Sequence, residues 1–150
     1  MVWGGINFRG RTDLHIVQHG TLNGERYITD ILQEYVIPFA PFVGDNFILM
    51  HDNARPHTAR IVTGFLRDTN IDVMDWPARS PDLNPIEHMW DALGRAVRGR
   101  LNPPETLEQL SETLIEEWNR IFEQYVQNLI LSIGRRCRAV VTARGGNTRY

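Results

Sequence analysis

The sequence predicts an α/β fold in which short strands alternate with amphipathic helices. Residues 47–50 are a continuous apolar run of strand length, a helical pattern begins at Thr58, and residues 71–76 form another short strand. A strand, a helix and a strand in this order imply parallel neighbouring strands joined by a right-handed crossover. With 150 residues, the chain is long enough for one domain around a single core.

The N-terminal residues are typical of a β-hairpin. Residues 2–8 are apolar around Gly4 and Gly5, and these glycines indicate a bulge or a close approach of the backbone. Residues 9–11 are predicted to form the turn, and residues 14–18 are predicted to form the partner strand.

Two amphipathic helices are predicted next. Asn23 can cap the first helix, and Pro38 and Pro41 are expected to prevent its continuing. Its apolar residues at helical spacing are Tyr27, Ile28, Ile31, Leu32, Tyr35 and Val36. The second helix is expected to begin at Thr58 and to stop at Asn70. Its predicted inward residues are Ala59, Ile61, Val62, Phe65 and Leu66.

The C-terminal half is predicted to be helical. Asn84 is well placed as the N-cap of a helix that Gly99 ends. Thr106 and Gln109 form a capping box that opens the next helix. A further helical stretch is expected to break at Gly134, and a basic helical segment follows it.

The composition is that of an ordinary soluble protein. With 42% hydrophobic and 23% charged residues, the chain has no apolar run near the roughly 18 residues of a membrane span. No basic segment followed by an apolar stretch marks secretion, so an intracellular protein is expected. Cys137 is the only cysteine, which excludes an internal disulfide and a multi-cysteine zinc site.

The net charge of -2 conceals a basic C-terminal region. All 16 basic residues are arginines, and five of them follow Gly134 with no acid among them. These five are Arg135, Arg136, Arg138, Arg144 and Arg149. Such a region attracts DNA phosphates in a salt-dependent way. A solvated helix face with a frayed tail is the alternative, and charge alone favours it.

Two acidic side chains occupy positions suited to a divalent metal ion. The strand at 47–50 is predicted to be covered on both faces, and Asp52 lies where it ends. Glu87 falls in the first turn of the helix that Asn84 caps. Carboxylate oxygens are the ligands that Mg²⁺ prefers. The alternatives are a turn or helix cap for Asp52 and a capping-box partner of Asn84 for Glu87.

Polar side chains flank both acids. The histidines are His51, His57 and His88. They lack the i, i+4 spacing of a helical zinc motif, so hydrogen bonds around the site or contacts with phosphate are favoured over zinc. Asn53 can orient a carboxylate or a bound water, and Arg55 can contact phosphate, with turn formation and solvation as their alternatives. Asn84 is a further candidate contact of the site.

Four strings of the sequence resemble the catalytic domain of Tc/mariner transposases. They are MVWGGI at 1–6, HDNARPH at 51–57, WPARSPDLNPIE at 76–87 and GGNTRY at 145–150. The second and third strings are specific, because they match the family's second Asp and final Glu at the spacing of the Tc branch. The resemblance implies an RNase H-like mixed sheet flanked by helices, with further helices at the C-terminus.

The resemblance also implies a chemistry. Asp52 and Glu87 match the second and third of three acids that hold two Mg²⁺ (or Mn²⁺) ions about 3.5 to 4 Å apart. In the family, this site activates a water or a DNA 3′-hydroxyl for in-line phosphoryl transfer without a covalent protein intermediate. Members cut their element out at terminal inverted repeats and reinsert it at TA. DNA is therefore the implied partner, with a homo-oligomer as a second, and the nucleus is the implied location.

The chain departs from the family pattern at its start. The family's first Asp lies on a central strand upstream of the segment that begins here with Met1, and neither Asp13 nor Asp30 matches its motif. We therefore expect a single partial catalytic domain over 1–150, without the family's N-terminal helix-turn-helix domains. The sheet is expected to close up or to keep a gap. The chain alone is expected to be inactive, and a non-catalytic DNA-binding or dimerising remnant, or a decayed gene fragment, is the alternative.

Overall fold

The N-terminal hairpin is built from four two-residue strands. β1 (Val2–Trp3) pairs antiparallel with β4 (His15–Ile16), and β2 (Ile6–Asn7) pairs antiparallel with β3 (Gly10–Arg11). The predicted hairpin is therefore confirmed, but its turn falls at residues 8–9, and Gly10–Arg11, which the sequence assigned to the turn, form β3. Both sides of the hairpin are interrupted. Residues 4–5, the two adjacent glycines, separate β1 from β2, and residues 12–14 separate β3 from β4.

The computed structural model of the chain describes residues 1–78 and 80–144. These residues form two compact units, which we describe separately. The crossover unit comprises Met1–Trp3 and His15–Arg79, and the helical unit comprises Gly4–Leu14 and Ser80–Tyr150. The expectations that fall on Arg79, on Arg149 and on the GGNTRY string lie outside the described residues.

One continuous helix of the crossover unit changes its type twice. It runs through α1 (Gly24–Arg26), a π-helical segment (Tyr27–Val36) and α2 (Ile37–Val43). The predicted N-cap is confirmed, because Asn23 Oδ1 accepts a hydrogen bond from Arg26 N at 2.8 Å.

The prediction that Pro38 and Pro41 stop this helix is wrong. Pro38 lies in the first turn of α2, where the helix changes register and Ile37 N donates to Leu32 O, five residues back. A proline, which has no N–H to donate, is tolerated in such a first turn. The helix ends instead at Gly44, whose φ of 107° lies in the left-handed region that favours glycine.

The predicted strand–helix–strand crossover is confirmed. β5 (Ile48–Leu49) and β6 (Asp72–Val73) pair in parallel, and α3 (Arg60–Asp68) connects them. Asn70 adopts a φ of 54° just after α3, which agrees with the predicted stop.

Two predictions of burial in this crossover are wrong. Ile48 is 52% exposed and Ile61 is 51% exposed. Successive strand residues point to opposite faces, so Leu49 is buried while Ile48 is not, and β5 is covered on one face only. In α3, Val62 and Leu66 share the buried face at i, i+4 spacing, and Ile61 lies beside that face.

The core of the crossover unit lies where the π-helical segment, α3 and β5 meet. Its buried side chains are Tyr27, Ile31, Leu32, Val36, Leu49, Val62 and Leu66. Full burial of an aliphatic or aromatic side chain contributes roughly 1.5 to 3 kcal/mol. Any group bonded to one of these residues is therefore anchored to the core of the unit.

The described strands of the crossover unit form two separate two-stranded sheets. Among the described residues, β1 pairs only with β4 and β5 pairs only with β6, so the two pairs share no hydrogen-bonded ladder. Pairing between the hairpin and β5, one of the two arrangements expected from the sequence, is therefore not seen among the described residues, and the gap stays a prediction.

The helical unit contains four α-helices among its described residues. They are α4 (Pro85–Arg98), α5 (Leu107–Arg120), α6 (Glu123–Leu131) and α7 (Ile133–Thr142), and a 3₁₀ turn at Pro81–Leu83 precedes them. The predicted caps at Asn84 and Gly99 and the capping box of Thr106 and Gln109 are confirmed. Across residues 1–78 and 80–144, no helix has the length and apolar character needed to cross a bilayer.

The predicted helix break at Gly134 is wrong, because Gly134 lies inside α7. The break between α6 and α7 falls at Ser132, whose Oγ donates to Leu129 O at 2.6 Å. A serine hydroxyl competes with the helical hydrogen bonds of the backbone and favours helix ends.

Gly4 packs against a stacked pair of tryptophans. The rings of Trp90 and Trp118 stack at a centroid distance of 5.3 Å, and Trp118 Nε1 donates to Thr12 O at 2.9 Å. A Cβ on Gly4 would lie 2.9 Å from the Trp118 ring. The close approach predicted for the backbone at Gly4 is therefore confirmed.

We expect Gly4→Ala to lower the free energy of unfolding by about 1 to 3 kcal/mol, as overpacking does. The added methyl group must displace the Trp118 ring, which is fully buried and hydrogen-bonded. Urea denaturation followed by tryptophan fluorescence measures the change. Gly134→Ala is the matched control, because a Cβ there meets nothing within 4 Å and alanine favours a helix interior by about 1 kcal/mol. Equal stability of Gly4→Ala and the wild type would contradict the steric conflict.

Candidate functional site

Asp52 lies in the loop that follows β5. Its Oδ1 accepts a hydrogen bond from Ala54 N at 3.0 Å, which is the contact of an Asx turn. The turn that the sequence left open as an alternative is therefore present. The side chain is nevertheless 50% exposed, so the same carboxylate is accessible to a ligand.

Two histidines and a tyrosine surround Asp52, and we call these four residues the Asp52 cluster. His57 Nδ1 lies 2.7 Å from Asp52 Oδ1, and the rings of His51 and His57 stack at a centroid distance of 4.9 Å. Tyr27 Oη lies 3.1 Å from His51 Nδ1. Because Tyr27 is 1% exposed and belongs to the core, the cluster is anchored to the crossover unit.

Burial sets the charge of two members of the Asp52 cluster. Desolvation, with the neighbouring His57 as a second cause, lowers the pKa of His51 to about 4, although Asp52 acts in the opposite direction. Burial also raises the pKa of Tyr27, and the negative charge of Asp52 adds to this rise. Both side chains are therefore neutral near physiological pH.

The other two polar residues of the 51–57 string have different surroundings. Asn53 Nδ2 donates to Trp76 O at 2.9 Å and so ties this loop to the segment that follows β6. This bond joins residues 23 positions apart and is therefore not a turn contact, and a role of Asn53 in orienting a carboxylate or a bound water stays a prediction. Arg55 is exposed and forms no ion pair with any described residue, and its contact with phosphate stays a prediction.

Glu87 lies in the first turn of α4 and is exposed. Asn84 fixes the start of this helix, because its Oδ1 accepts a hydrogen bond from Ile86 N at 3.4 Å. A carboxylate in a first turn is stabilised by the positive end of the helix dipole. A contact of Asn84 with a ligand at this position stays a prediction.

His88 is partly buried on the same helix. Its backbone O accepts a hydrogen bond from Tyr125 Oη at 3.4 Å. Burial, followed by the positive charge of Arg136, lowers the pKa of His88. Protonation of its ring is disfavoured as a result, and a contact with phosphate stays a prediction.

The basic residues of α7 and its C-terminal end differ in exposure. Arg136 is 3% exposed, and its guanidinium donates to Ser132 Oγ at 2.7 Å and to Asp82 O at 3.1 Å. The expectation that Arg136 contacts DNA is therefore corrected: it connects α7 to the 3₁₀ turn. Arg135, Arg138 and Arg144 are exposed and stay candidates for DNA contact.

The donor atoms of Asp52 suit a hard divalent cation. Its Oδ2 makes no hydrogen bond or ion pair with any residue in 1–78 or 80–144, and Mg²⁺ prefers such carboxylate oxygens. Of the described side chains, no three from His, Cys, Asp and Glu are grouped to hold an ion. Asp52 belongs to the crossover unit and Glu87 to the helical unit.

Comparison with known sequences assigns a family. A family model described as "DDE superfamily endonuclease" matches residues 1–111, which include Asp52 and Glu87. The chain is 36% identical over 154 residues to "Transposable element Tcb1 transposase" of Caenorhabditis briggsae, covering 100% of this chain and 54% of the relative. It thus spans about half the length of the curated relatives it matches.

Comparison with solved structures confirms the fold. The structure of the Mos1 transposase catalytic domain and raltegravir with Mg gives a TM-score of 0.84 at 24% identity, covering 99% of this chain and 76% of that chain. The Mos1 mariner paired end complex with Mn gives a TM-score of 0.81 at 24% identity, covering 99% and 44%. The fold is therefore RNase H-like, as the family resemblance implied.

Tyr27 is the member of the Asp52 cluster that the sequence did not predict. Its helical spacing assigned it to the core face of its helix, and the ring does lie in that core. A buried tyrosine needs a hydrogen-bond partner for its hydroxyl group. That requirement is the signal that could have indicated a polar partner for Tyr27, which in the structure is His51.

We expect His51 of the metal-free chain to titrate at about 4, below the usual histidine value of about 6.5. Because the folded pKa lies below the unfolded one, the unfolded chain binds the proton first as the pH falls. Stability should therefore fall between about pH 6.5 and pH 4, with no further loss from His51 below that window.

An NMR titration of the His51 ring protons measures the pKa, and urea unfolding at several pH values measures the linked loss of stability. His51→Asn should lack this part of the pH dependence. A pKa near 6.5 would show that the ring is not desolvated.

Proposed function

Because this chain belongs to the DDE superfamily endonucleases, we propose that it is a catalytic domain of a Tc/mariner-type transposase, with Asp52 and Glu87 as metal-binding acids of DNA strand cleavage and transfer. The observation that carries the proposal is the family match over 1–111, which contains both acids and the strings around them. The similarity to a Mos1 catalytic domain described with Mg supports a divalent cofactor.

Each acid has features that suit this role. Asp52 presents an accessible carboxylate at the end of a strand, and Glu87 presents one in the first turn of α4. Mg²⁺ or Mn²⁺, when bound, supplies the positive charge required for an in-line displacement at phosphorus. From the resemblance, each of the two acids would bind a divalent cation through its carboxylate oxygens, and the exposed Arg55 would contact the phosphate of the strand.

The proposed DNA partner fits the exposed arginines near the C-terminus. Arg135, Arg138 and Arg144 carry positive charge on or just after α7, which contains no acidic residue. Element ends and a TA target are proposed from the resemblance, and they imply a nuclear location. A homo-oligomer is likewise proposed from the resemblance.

For the 150-residue chain tested by itself, we propose DNA binding without turnover. The resemblance implies three acids, and two positions of this chain match them. The alternative function is therefore a DNA-binding domain that does not cleave, and a single nicking assay separates it from the enzyme.

The assay incubates the chain with an element-end duplex and Mg²⁺ or Mn²⁺. We expect the duplex to be retained without nicking. Nicking that is abolished by Asp52→Asn and by Glu87→Gln would instead show that the chain is active. Glu108→Gln is the matched control, because Glu108 is also an exposed glutamate in the first turn of a helix. Nicking that survives all three substitutions would assign the activity to a contaminant.

DNA binding is tested by fluorescence anisotropy at several salt concentrations. The double variant Arg138→Gln, Arg144→Gln should bind a duplex more weakly. The slope of log K against log salt should become shallower by about 2, because each phosphate that an arginine neutralises adds about 0.9 to that slope. Arg67→Gln is the control, since this exposed arginine lies on α3, outside the C-terminal region. An equal loss of DNA affinity in the double variant and in Arg67→Gln would contradict the proposed DNA surface. DNA binding by the wild type that does not depend on salt would contradict it as well.

A further inference from the structure

The two hydrogen-bond donors to the Asp52 carboxylate bind the same oxygen. Ala54 N lies 3.0 Å from Oδ1, and His57 Nδ1 lies 2.7 Å from it. An ionised carboxylate only accepts hydrogen bonds, which assigns the proton to Nδ1 of His57. Oδ2 has no hydrogen-bond or ion-pair partner in the part of the chain that the structure describes. The two oxygens of one carboxylate therefore have different surroundings.

The His57 ring is held in place by packing. It stacks on the His51 ring with an interplanar angle of 6°, and its centroid lies 4.4 Å from that of Tyr27. The side chain of His57 is 15% exposed, whereas that of Asp52 is 50% exposed. His57 Nδ1 also lies 3.2 Å from the backbone O of Asp52. Rotating the ring away from Oδ1 would therefore break both hydrogen bonds and the ring contacts.

We propose that His57 is a positioning residue, which fixes the Asp52 carboxylate through an Nδ1–H···Oδ1 hydrogen bond and leaves Oδ2 as the single-oxygen ligand of a divalent metal ion. The inference rests on the proposed function, in which Asp52 binds that ion. A ligand that is already held in one rotamer loses little freedom when the ion binds, so ordering it opposes binding less. Partners that orient a metal ligand in this way typically change the metal affinity by about 10- to 100-fold.

A role for His57 in packing alone would have different consequences. A space-filling ring needs no particular nitrogen, so a variant that keeps the volume but moves the donor would bind metal normally. The positioning role needs a donor at the place of Nδ1. Asparagine puts its amide nitrogen near that place, whereas glutamine puts it near the place of Nε2.

The first test uses the metal-free chain. Long-range ¹H–¹⁵N NMR at about pH 8, above the usual histidine range, reports which ring nitrogen carries the proton. We expect the Nδ1–H tautomer for His57. An Nε2–H tautomer in the wild type would overturn the proposal whatever the metal affinity.

The second test measures binding of Mn²⁺ alone by titration calorimetry. We expect His57→Ala and His57→Gln to weaken binding by about 10-fold or more, and His57→Asn to stay within about threefold of the wild type. Thr58→Ala is the matched control, because it removes a hydrogen bond to Ala54 O in the same loop without touching the Asp52 carboxylate. Thermal unfolding of each variant verifies that it is folded. If His57→Ala does not fold, the comparison of the Mn²⁺ affinities of His57→Asn and His57→Gln still tests the positioning role.

The outcomes separate this inference from the proposed function. Equal Mn²⁺ affinity of the asparagine and glutamine variants would overturn the positioning role while leaving Asp52 as a ligand. Failure of the wild-type chain to bind Mn²⁺, or binding that survives Asp52→Ala, would contradict the proposed metal site itself. In that case the tautomer alone decides whether His57 fixes the carboxylate.

Discussion

The loop at 51–58 follows β5 without a partner strand of its own, so its polar groups must find partners outside a ladder. Buried or half-buried backbone groups that lack a partner cost free energy comparable to that of a missing hydrogen bond. The loop meets this demand locally: Asp52 Oδ1 accepts from Ala54 N, and Thr58 Oγ1 donates to Ala54 O. Asn53 adds a bond to Trp76 O. The residue types that suggest a metal site are therefore also the ones that give the loop its shape.

The turn contact of Asp52 does not exclude the proposed role of this side chain as a metal ligand. A carboxylate has two oxygens, and the Asx turn engages Oδ1 only. The turn and the ligand can therefore coexist on one side chain. The start of α4 shows a similar division between neighbouring residues, because the Asn84 side chain caps the helix while Glu87 is exposed in the first turn.

Features with a local cause were predictable from the sequence. The caps at Asn23 and Asn84, the capping box at Thr106 and the αL stop at Asn70 each depend on a few adjacent residues. The specific strings at 51–57 and 76–87 likewise located the two acids. Features that depend on distant partners were not predictable. The exposure of Ile48 reflects a sheet covered on one face.

Arg136 and Tyr27 show the same limit within the candidate site. An arginine in a basic segment is expected at the surface, but Arg136 bonds to the backbone of a turn 54 positions earlier in the chain. Tyr27 was assigned to the core, and its partner His51 lies 24 positions away. Periodicity identifies which face of a helix is buried, but it does not identify the polar atom that a buried hydroxyl will meet.

The π-helical segment determines the helical phase between Tyr27 and Val36. These residues are nine positions apart, which in an α-helix is about two and a half turns and would put them on opposite faces. A π-helix holds more residues per turn, so both side chains enter the same core. Removing one residue from this segment would rotate Tyr27 by about 80° relative to Val36, the rotation per residue of a π-helix. The contact between Tyr27 and the histidine stack beside Asp52 therefore depends on the number of residues in a helix that contains neither Asp52 nor Glu87.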